Sequence, residues 1–344
     1  MTFEFPCTGK GLFINDLTLM PINTWIAKCK DTGVSWVCIK VDKASHNSLY
    51  VSAGDAFRAA NIWVTAWQFI YDDDPAYRAR IAIRDVKSLK ASAFLMDAEA
   101  PYNKPGTIDD AKAKIYTNVL VPGLHSIGVP IGLCSYRFPS VQPNFAWGPF
   151  LAAADFHAPQ VYWVGAHNPA YQLKKSIAEL KARKNIPVIP AGAAYSEKVS
   201  IGGITTVFRA APAEVAEFLD AAVETGCKAV MLWYADEMFS EKWWEFKGST
   251  VALRKLWCNE VKLHVWEGTP VPPPEPPPTG ALYQVVCTAI TVNVRSGPGV
   301  TSSVIGSILK DEKAWVFGET PGWYRISNEV PLKWVSTSFF RKVV

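Results

Sequence analysis

The chain has 344 residues, of which 49% are apolar and 19% are charged. This size and composition fit one large globular domain followed by a small one, and they exclude an intrinsically disordered protein. The net charge of +4 comes without the Lys/Arg block of a nucleic-acid-binding tail, and no segment is apolar for the roughly 18–20 residues of a membrane span. We therefore expect neither nucleic-acid binding nor membrane insertion.

The N-terminal residues, MTFEFPCTGKG, lack the basic and then apolar regions of a signal peptide. The sequence therefore predicts synthesis in the cytoplasm, and a protein that acts outside the cell would leave by another route. Seven cysteines are scattered without a CxxC pair, which is typical of buried, reduced thiols. The five histidines are dispersed, so the sequence predicts neither a metal site nor a cofactor.

Short apolar, β-branched runs recur through the first 240 residues and predict strands. The eight runs are GLFIND (11–16), WVCIKV (36–41), IWVTAWQFIY (62–71), AFLMDAEAPY (93–102), VPIGLCSY (129–136), APQVYWVG (158–165), IPVIPAGAAY (186–195) and KAVMLWYADE (228–237).

Helix signals lie between several of these runs. Residues 21–33 begin with proline and stop at glycine, and residues 74–90 place an Asp cap before a proline in the first turn. Residues 168–184 and 211–226 have the same layout. Eight strand–helix units in about 260 residues predict a (β/α)₈ TIM barrel. The competing fold, a doubly wound open sheet, usually has a Gly-rich phosphate loop after its first strand, and CTGKGLF has its glycines before the strand.

A proline-rich segment, EGTPVPPPEPPPTG, covers residues 267–280. Such a segment forms an extended, stiff linker. It divides the chain into a TIM-barrel glycoside-hydrolase-like domain at 1–266 and a small domain at 281–344. Short β runs separated by Gly/Pro turns predict a small all-β barrel for the second domain.

In a TIM barrel the functional side chains lie at the carboxyl ends of the strands. Here those ends are acidic and aromatic, a combination that favours carbohydrate binding. The predicted substrate-binding residues are Trp67, Tyr71, Tyr102, Tyr136, Gln160, Tyr162, Trp163, Trp233 and Asp236.

Two acids one residue apart, Asp97 and Glu99, close the predicted fourth strand in FLMDAEAPY. Side chains alternate across a strand, so both acids point to the same side and Ala98 points to the other. Neighbouring carboxyls in a poorly hydrated pocket repel each other, which raises one pKa and leaves a neutral acid beside an ionised partner. Glycosidic bond hydrolysis needs this division of roles. The alternative is a strand end that merely turns polar as it reaches solvent.

A barrel whose fourth strand ends in DxE, with an acid at the end of strand 1, resembles the glycoside hydrolase family 25 lysozymes and the TIM-barrel glycoside-hydrolase-like proteins around them. The resemblance implies three catalytic residues, Glu99 as general acid, Asp97 as the group that orients a substrate N-acetyl group, and Asp16 as support. It also implies net retention, because the N-acetyl group acts as the internal nucleophile. The APQVYW run resembles the late-strand aromatics of chitinase-like barrels.

The C-terminal segment resembles a bacterial SH3-type domain in the elements NVRSGPG (293–299), VIGSI (304–308), PGWYRI (321–326) and KWVSTSFF (333–340). The resemblance implies binding to cell-wall peptides or glycans. The contact residues that it implies are Trp315, Trp323, Tyr324 and Trp334, although Trp323 and Trp334 could equally belong to the core.

These features together predict a peptidoglycan hydrolase of the lysozyme or endolysin type, whose partner is the bacterial cell wall. Two alternatives stay open at this point. One is a non-catalytic wall- or glycan-binding protein with a decayed barrel site, which the imperfect first strand favours. The other is a chitinase-like glycosidase.

Overall fold

A computed structural model describes residues 3–42, 47–104, 110–201, 204–239, 249–266, 278–289, 291–309 and 313–343. The chain divides into two compact units, Met1–Pro272 and Pro273–Val344. The boundary falls inside the segment predicted as a linker, but residues 267–277 of that segment lie outside the described residues. The predicted domain limits therefore stay a prediction.

The large unit alternates strands and helices. Its strands are Gly9–Ile14 (β1), Trp36–Lys40 (β2), Trp63–Phe69 (β3), Phe94–Asp97 (β4), Ile131–Cys134 (β5), Phe156–His157 (β6), Ala191–Ala193 (β7), Ser196–Ile201 (β8), Ile204–Arg209 (β9) and Ala229–Trp233 (β10). Its helices are Ile22–Asp31 (α1), Asn47–Ala59 (α2), Pro75–Leu89 (α3), Asp110–His125 (α4), Trp147–Ala153 (α5), Pro169–Arg183 (α6), Pro212–Glu224 (α7), Ala235–Phe239 (α8) and Val251–Leu263 (α9).

Eight of these strands form one parallel sheet in the order β6-β5-β4-β3-β2-β1-β10-β7. Its two edges are joined, because His157 bridges to Val188 and Gln160 bridges to Ala191, both in parallel register. The sheet therefore closes on itself, which confirms the predicted (β/α)₈ barrel over a doubly wound open sheet.

The helix signals in the sequence coincide with observed helices. Asp74 caps α3 by accepting a hydrogen bond from the backbone N–H of Tyr77, and a proline occupies the first turn, as predicted. The predicted helices at 21–33, 168–184 and 211–226 correspond to α1, α6 and α7.

Gly11 of β1 shows how the barrel interior is filled. A Cβ atom at this position would lie 2.1 Å from Cε2 of Trp36 on the neighbouring strand, so only glycine leaves room for the indole ring. Trp36 is fully buried, as are most apolar side chains of the barrel strands. The apolar interior of the barrel therefore lies directly below the polar residues at the carboxyl ends of the strands.

Two predicted strands are displaced in the structure. The sixth run was predicted at 158–165, whereas β6 is Phe156–His157 and the chain beyond it pairs only through isolated bridges. Pro159 gives the physical reason, since proline has no N–H for the ladder. The seventh run was predicted at 186–195, whereas only Ala191–Ala193 are in β7. An antiparallel hairpin, β8–β9, then follows, which the sequence reading did not predict.

The small unit consists of short antiparallel strands in a three-stranded and a five-stranded sheet. Its strands are Tyr283–Cys287 (β11), Thr291–Arg295 (β12), Val304–Leu309 (β13), Lys313–Val316 (β14), Gly318–Thr320 (β15), Trp323–Arg325 (β16), Trp334–Ser336 (β17) and Phe340–Lys342 (β18). They enclose their own small apolar core, which includes Val285, Val316 and Val335. This agrees with the predicted all-β fold.

Candidate active site

A cleft of about 540 Å³ opens at the carboxyl ends of the barrel strands. Its lining residues are Asn15, Lys40, Trp67, Phe69, Tyr71, Asp97, Glu99, Gln160, Tyr162, Tyr195, Glu197 and Trp233. Seven of the twelve were singled out as catalytic or substrate-binding residues from the sequence. The cleft therefore has the acidic and aromatic character that the strand ends predicted.

Asp97 and Glu99 point into this cleft from the same side of the chain. The side-chain amide nitrogen of Gln160 donates to Asp97 Oδ1 at 2.8 Å and to Glu99 Oε1 at 2.6 Å. Ala98, between the two acids, is fully buried. The alternation predicted for FLMDAEAPY is thus present, and the amide of Gln160 bridges the two carboxyls.

The two carboxyls differ in their surroundings. Asp97 is only 6% exposed, whereas Glu99 is half-buried at the cleft. Burial raises the pKa of Asp97 well above its usual range, and the nearby Glu99 charge raises it further. The hydrogen bond from Gln160 opposes this rise. Asp97 is therefore the member of the pair that the surroundings favour in the neutral form.

Asp16 occupies a different place from the one predicted. Its carboxylate accepts hydrogen bonds from the backbone N–H of Thr18 at 2.9 Å and from the Thr18 hydroxyl at 2.6 Å, and it caps a short 3₁₀ helix. Among the described residues, Asn15 is the one that lines the cleft at the end of β1, and Asp16 is not part of the lining. Both residues follow the end of β1 at Ile14, and the cap contacts of Asp16 with Thr18 account for the position of its carboxylate.

Asp236 also differs from its prediction as a substrate contact. It is 1% exposed, and its two oxygens accept the backbone N–H groups of Asn15 at 2.8 Å and Asp16 at 2.9 Å. Burial raises its pKa to about 7, although these two hydrogen bonds oppose the rise. The carboxyl holds the end of β1 in position, and it therefore acts on the cleft through Asn15.

The predicted aromatic contacts divide into two groups. Trp67, Tyr71, Tyr162 and Trp233 line the cleft. Tyr102 and Trp163 are fully buried, and the Trp163 indole nitrogen donates to Glu214 at 2.9 Å. Tyr136 is half-buried and bridges to Gln160 in the backbone, and the described cleft lining does not include it. The full burial of Tyr102 and Trp163 does not support their predicted contact with substrate. Burial and then the charges of Glu99 and Asp97 raise the pKa of Tyr136, which therefore lies near the acid pair, and its contact with substrate stays a prediction.

Four polar or charged lining residues were missed as site residues, namely Asn15, Lys40, Tyr195 and Glu197. Lys40 ends β2, and its ammonium donates to Asn15 Oδ1 at 3.2 Å. Glu197 comes from the β8–β9 hairpin and accepts the Tyr195 hydroxyl at 3.1 Å. The sequence could have indicated Lys40, since it is the charged residue of the predicted strand WVCIKV and lies close to the carboxyl end of that strand.

The aromatic residues of the small unit separate in the same way. Tyr324 is only 9% exposed and belongs to the core, which corrects its prediction as a wall contact. Trp315, Trp323 and Trp334 are half-buried, so part of each ring is accessible. The alternation of β16 gives the reason, because Trp323 and Tyr324 must face opposite sides of the sheet.

Within the described residues, no group of three or more His, Cys, Asp or Glu side chains is arranged to hold a metal ion. All seven cysteines are free thiols, six of them buried and Cys258 half-buried. No helix in the described ranges is long and apolar enough to cross a membrane.

Comparison with known proteins gives a family match for part of the small unit and similar folds for the large one. Residues 290–340 match the bacterial SH3 domain family. The barrel is similar to the catalytic domain of the hyperthermophilic chitinase from Pyrococcus furiosus, at 12% identity and a TM-score of 0.53, covering 77% of this chain and 99% of that one.

A catalytic-site mutant of active domain 2 of the thermostable chitinase from the same organism, complexed with chito-oligosaccharides, is similar at 12% identity and a TM-score of 0.53. This alignment also covers 77% of this chain and 99% of that one. A search of curated proteins found no match. At this identity the similarity between the barrels concerns the fold.

Proposed function

We propose that the barrel is a glycoside hydrolase of the lysozyme type that acts on the aminosugar glycan of the bacterial cell wall. The observation that carries this proposal is the pair Asp97 and Glu99, bridged by the amide of Gln160 in an open cleft with aromatic walls. Hydrolysis of a glycosidic bond needs a proton donor and a second carboxyl near it, and this pair supplies both.

The separation of the two carboxyls supports a retaining outcome. Both acids contact the same nitrogen, at 2.8 and 2.6 Å, so their two bonded oxygens can be no farther apart than these distances combined. That limit is below the separation of about 6.5–9.5 Å at which inverting enzymes accommodate an activated water. The range for retaining enzymes with a carboxylate nucleophile is not the criterion here, because the proposed nucleophile is the acetyl oxygen of the substrate.

Burial and the Glu99 charge favour the protonated form of Asp97, and the proposed reaction begins with a proton on this carboxyl. During the reaction this proton passes to Glu99, which faces the cleft and donates it to the leaving glycosidic oxygen. Asp97 is then ionised and accepts a hydrogen bond from the N-acetyl N–H of the substrate, while the acetyl oxygen attacks the anomeric carbon. Water later opens this intermediate and returns the proton to the pair.

The aromatic walls are suited to hold sugar rings beside the acids. Tyr71 is 44% exposed and Trp233 is half-buried, so both offer a ring face or edge to a ligand. Trp67 is 2% exposed and its indole nitrogen donates to Ile14 O at 3.2 Å, so it forms the floor. We assign Tyr71 and Trp233 as the stacking residues.

The proposal is tested with the full-length protein and purified peptidoglycan. Glu99→Gln is expected to abolish release of soluble fragments, whereas Glu224→Gln, an exposed acid on α7 that pairs with Lys174, keeps full activity. Muramic acid at the new reducing ends supports the lysozyme type. The enzyme proposal fails if wild type releases nothing, or if Glu99→Gln changes nothing.

A chitinase-like glycosidase is the second candidate, and the fold shared with the Pyrococcus furiosus chitinase favours it. Glucosamine at the new reducing ends of the products would support this reaction. A non-catalytic glycan-binding protein is the third, because the described cleft lining contains neither Asp16 nor Asp236. Binding of glycan without any turnover by wild type identifies this case.

The small unit is proposed to hold the enzyme on the cell wall, which its match to the bacterial SH3 domain family supports. Tethering to an insoluble polymer raises the effective concentration of the barrel near its substrate. Such a protein acts at the wall or outside the cell, as a phage-type lysin or as part of a particle. Deleting residues 273–344 is expected to weaken sedimentation with cell walls and to leave turnover of small soluble glycans unchanged.

A further inference from the structure

Lys40 is the only cationic side chain among the described residues that line the cleft. It closes β2, and β3 lies between it and the strand that carries Asp97. Since neighbouring strands are about 4.8 Å apart, its backbone is roughly 10 Å from that of the acid pair. Its side chain can therefore contact the sugar next to the scissile bond.

The contacts of the Lys40 ammonium leave it able to bind a ligand. In the described part of the chain it donates to the neutral Asn15 Oδ1 at 3.2 Å, and its nearest carboxylate oxygen is Asp42 Oδ2 at 4.0 Å. It also lies 4.9 Å from the ring centre of Trp67. An ammonium group has three N–H donors, so donors remain for a group in the cleft. The side chain is 21% exposed, which gives a ligand access to it.

Lys40 could instead serve to neutralise the charge of Asp97 and Glu99, but its surroundings argue against this as its main role. Burial and the Glu99 charge raise the pKa of Asp97 in spite of Lys40, whose opposing effect is smaller. The bridging hydrogen bonds to both acids come from Gln160. Lys40 is instead fixed toward Asn15 and Trp67, on the wall of the cleft.

We propose that Lys40 is a specificity-determining residue that selects a glycan carrying a carboxylate next to the cleaved linkage over a neutral glycan. This inference rests on the proposed function and narrows its substrate class. A carboxylate ligand gains a charge-assisted hydrogen bond from the ammonium, whereas the hydroxyls of neutral chitin gain a weaker one. In wall glycan the carboxylate is the lactyl group of muramic acid, which is free where the peptide has been removed. A uronic acid carries the same chemistry.

The test compares three soluble oligosaccharides of equal length: a neutral chitin oligosaccharide, a peptide-free muramic acid oligosaccharide and a uronic-acid-containing one. Lys40→Met is expected to lower kcat/KM about tenfold on the acidic glycan that is the substrate, the effect of losing about one charge-assisted hydrogen bond. The loss of kcat/KM on the chitin oligosaccharide is smaller, because its hydroxyls lose only a weaker hydrogen bond. Lys40→Arg keeps most of the preference, and Lys174→Met, an exposed lysine of α6, serves as the matched control.

Lys40→Met is expected to lower turnover of either the muramic acid or the uronic acid oligosaccharide, and the one affected identifies which sugar supplies the carboxylate. An equal loss on neutral and acidic glycans overturns the inference, because Lys40 would then only support the site. Unchanged turnover on both acidic glycans overturns it as well.

Binding measurements separate this inference from the proposed function. Titration calorimetry with Glu99→Gln and with the double variant Glu99→Gln/Lys40→Met measures the preference without any turnover. If wild type cleaves none of the three glycans, the hydrolase proposal fails. The role of Lys40 is still supported in that case if Glu99→Gln binds an acidic glycan more tightly than the neutral one and the double variant does not. If Glu99→Gln binds the acidic glycans no more tightly than the neutral one, the inference about Lys40 is wrong.

Discussion

Replacing Glu99 with glutamine should stabilise the fold at neutral pH while it removes activity. The bonded oxygens of Asp97 and Glu99 share one nitrogen and are therefore at most about 5 Å apart. Two full charges at that distance and an effective dielectric constant of about 20 repel by about 3 kcal/mol. This value is the upper limit of the effect, because the raised pKa of Asp97 lowers the charge that this carboxyl carries at neutral pH. Because Glu99 is half-buried and solvent screens part of this repulsion, we expect a gain of about 1–3 kcal/mol in the free energy of unfolding.

The pH dependence of this gain follows from the raised pKa of Asp97. A carboxyl whose pKa is higher in the folded state than in the unfolded one binds more protons when folded, so stability falls as the pH rises from about 4 through the folded pKa. Glu99→Gln removes the charge that is the second cause of the rise, and the pKa of Asp97 falls but stays elevated, because burial is the larger cause. The gain therefore declines as the pH falls toward about 4, because a protonated Asp97 carries no charge for Glu99 to repel.

Urea unfolding of the full-length protein between pH 3.5 and pH 8 measures the effect, with Glu224→Gln as the surface control. Carboxyl ¹³C NMR of aspartate-labelled protein, assigned with Asp97→Asn, follows the pKa of Asp97 without any need for activity. A stability difference that does not depend on pH, or a destabilised Glu99→Gln, would refute the reasoning. An Asp97 that titrates near 4 in wild type would refute it too.

Three further outcomes follow from the contacts described above. Asp236→Ala leaves two backbone N–H groups without their acceptor and should lower the free energy of unfolding by about 2–4 kcal/mol, measured by urea unfolding. Trp233→Ala should weaken binding of a glycan oligosaccharide to Glu99→Gln about tenfold in titration calorimetry, because a stacking face is lost. In the small unit, Trp334→Ala should reduce sedimentation with cell walls and keep the native circular dichroism, whereas Tyr324→Ala should unfold the unit, because the ring is part of its core.

The barrel was predictable because its signals are local and repeated. Strand runs and helix caps occur in each unit, and each needs only a few neighbouring residues to be recognised. The sixth strand was misplaced where Pro159 interrupts the ladder, and the seventh was predicted longer than the observed β7, which is followed by an inserted hairpin. The closure of the sheet could not be derived from any one unit, since it depends on the bridge between residues 157 and 188.

The acid pair was predictable for the same reason, since alternation over three residues determines where its side chains point. Alternation along one strand could not predict whether the acids at the ends of other strands face the cleft. Asp16 and Asp236 have the residue type of catalytic groups, but both carboxyls are used on backbone N–H groups close to the end of β1. The spacing Asp16-Leu17-Thr18 is the signal of a local cap, which could have indicated this use.

Asp97 and Asp236 are both buried acids with raised pKa values, and their hydrogen-bond partners differ in a way that supports the proposed role of Asp97. Asp236 faces two N–H groups of the main chain, which are fixed in place and satisfy both of its oxygens. Asp97 instead shares a side-chain amide with a second carboxyl in an accessible cleft, an arrangement that costs stability and that packing of the barrel does not require. An asparagine at position 97 would keep the hydrogen bond from Gln160 and avoid the repulsion. That the chain has aspartate there is the strongest energetic argument that the pair serves chemistry on a ligand.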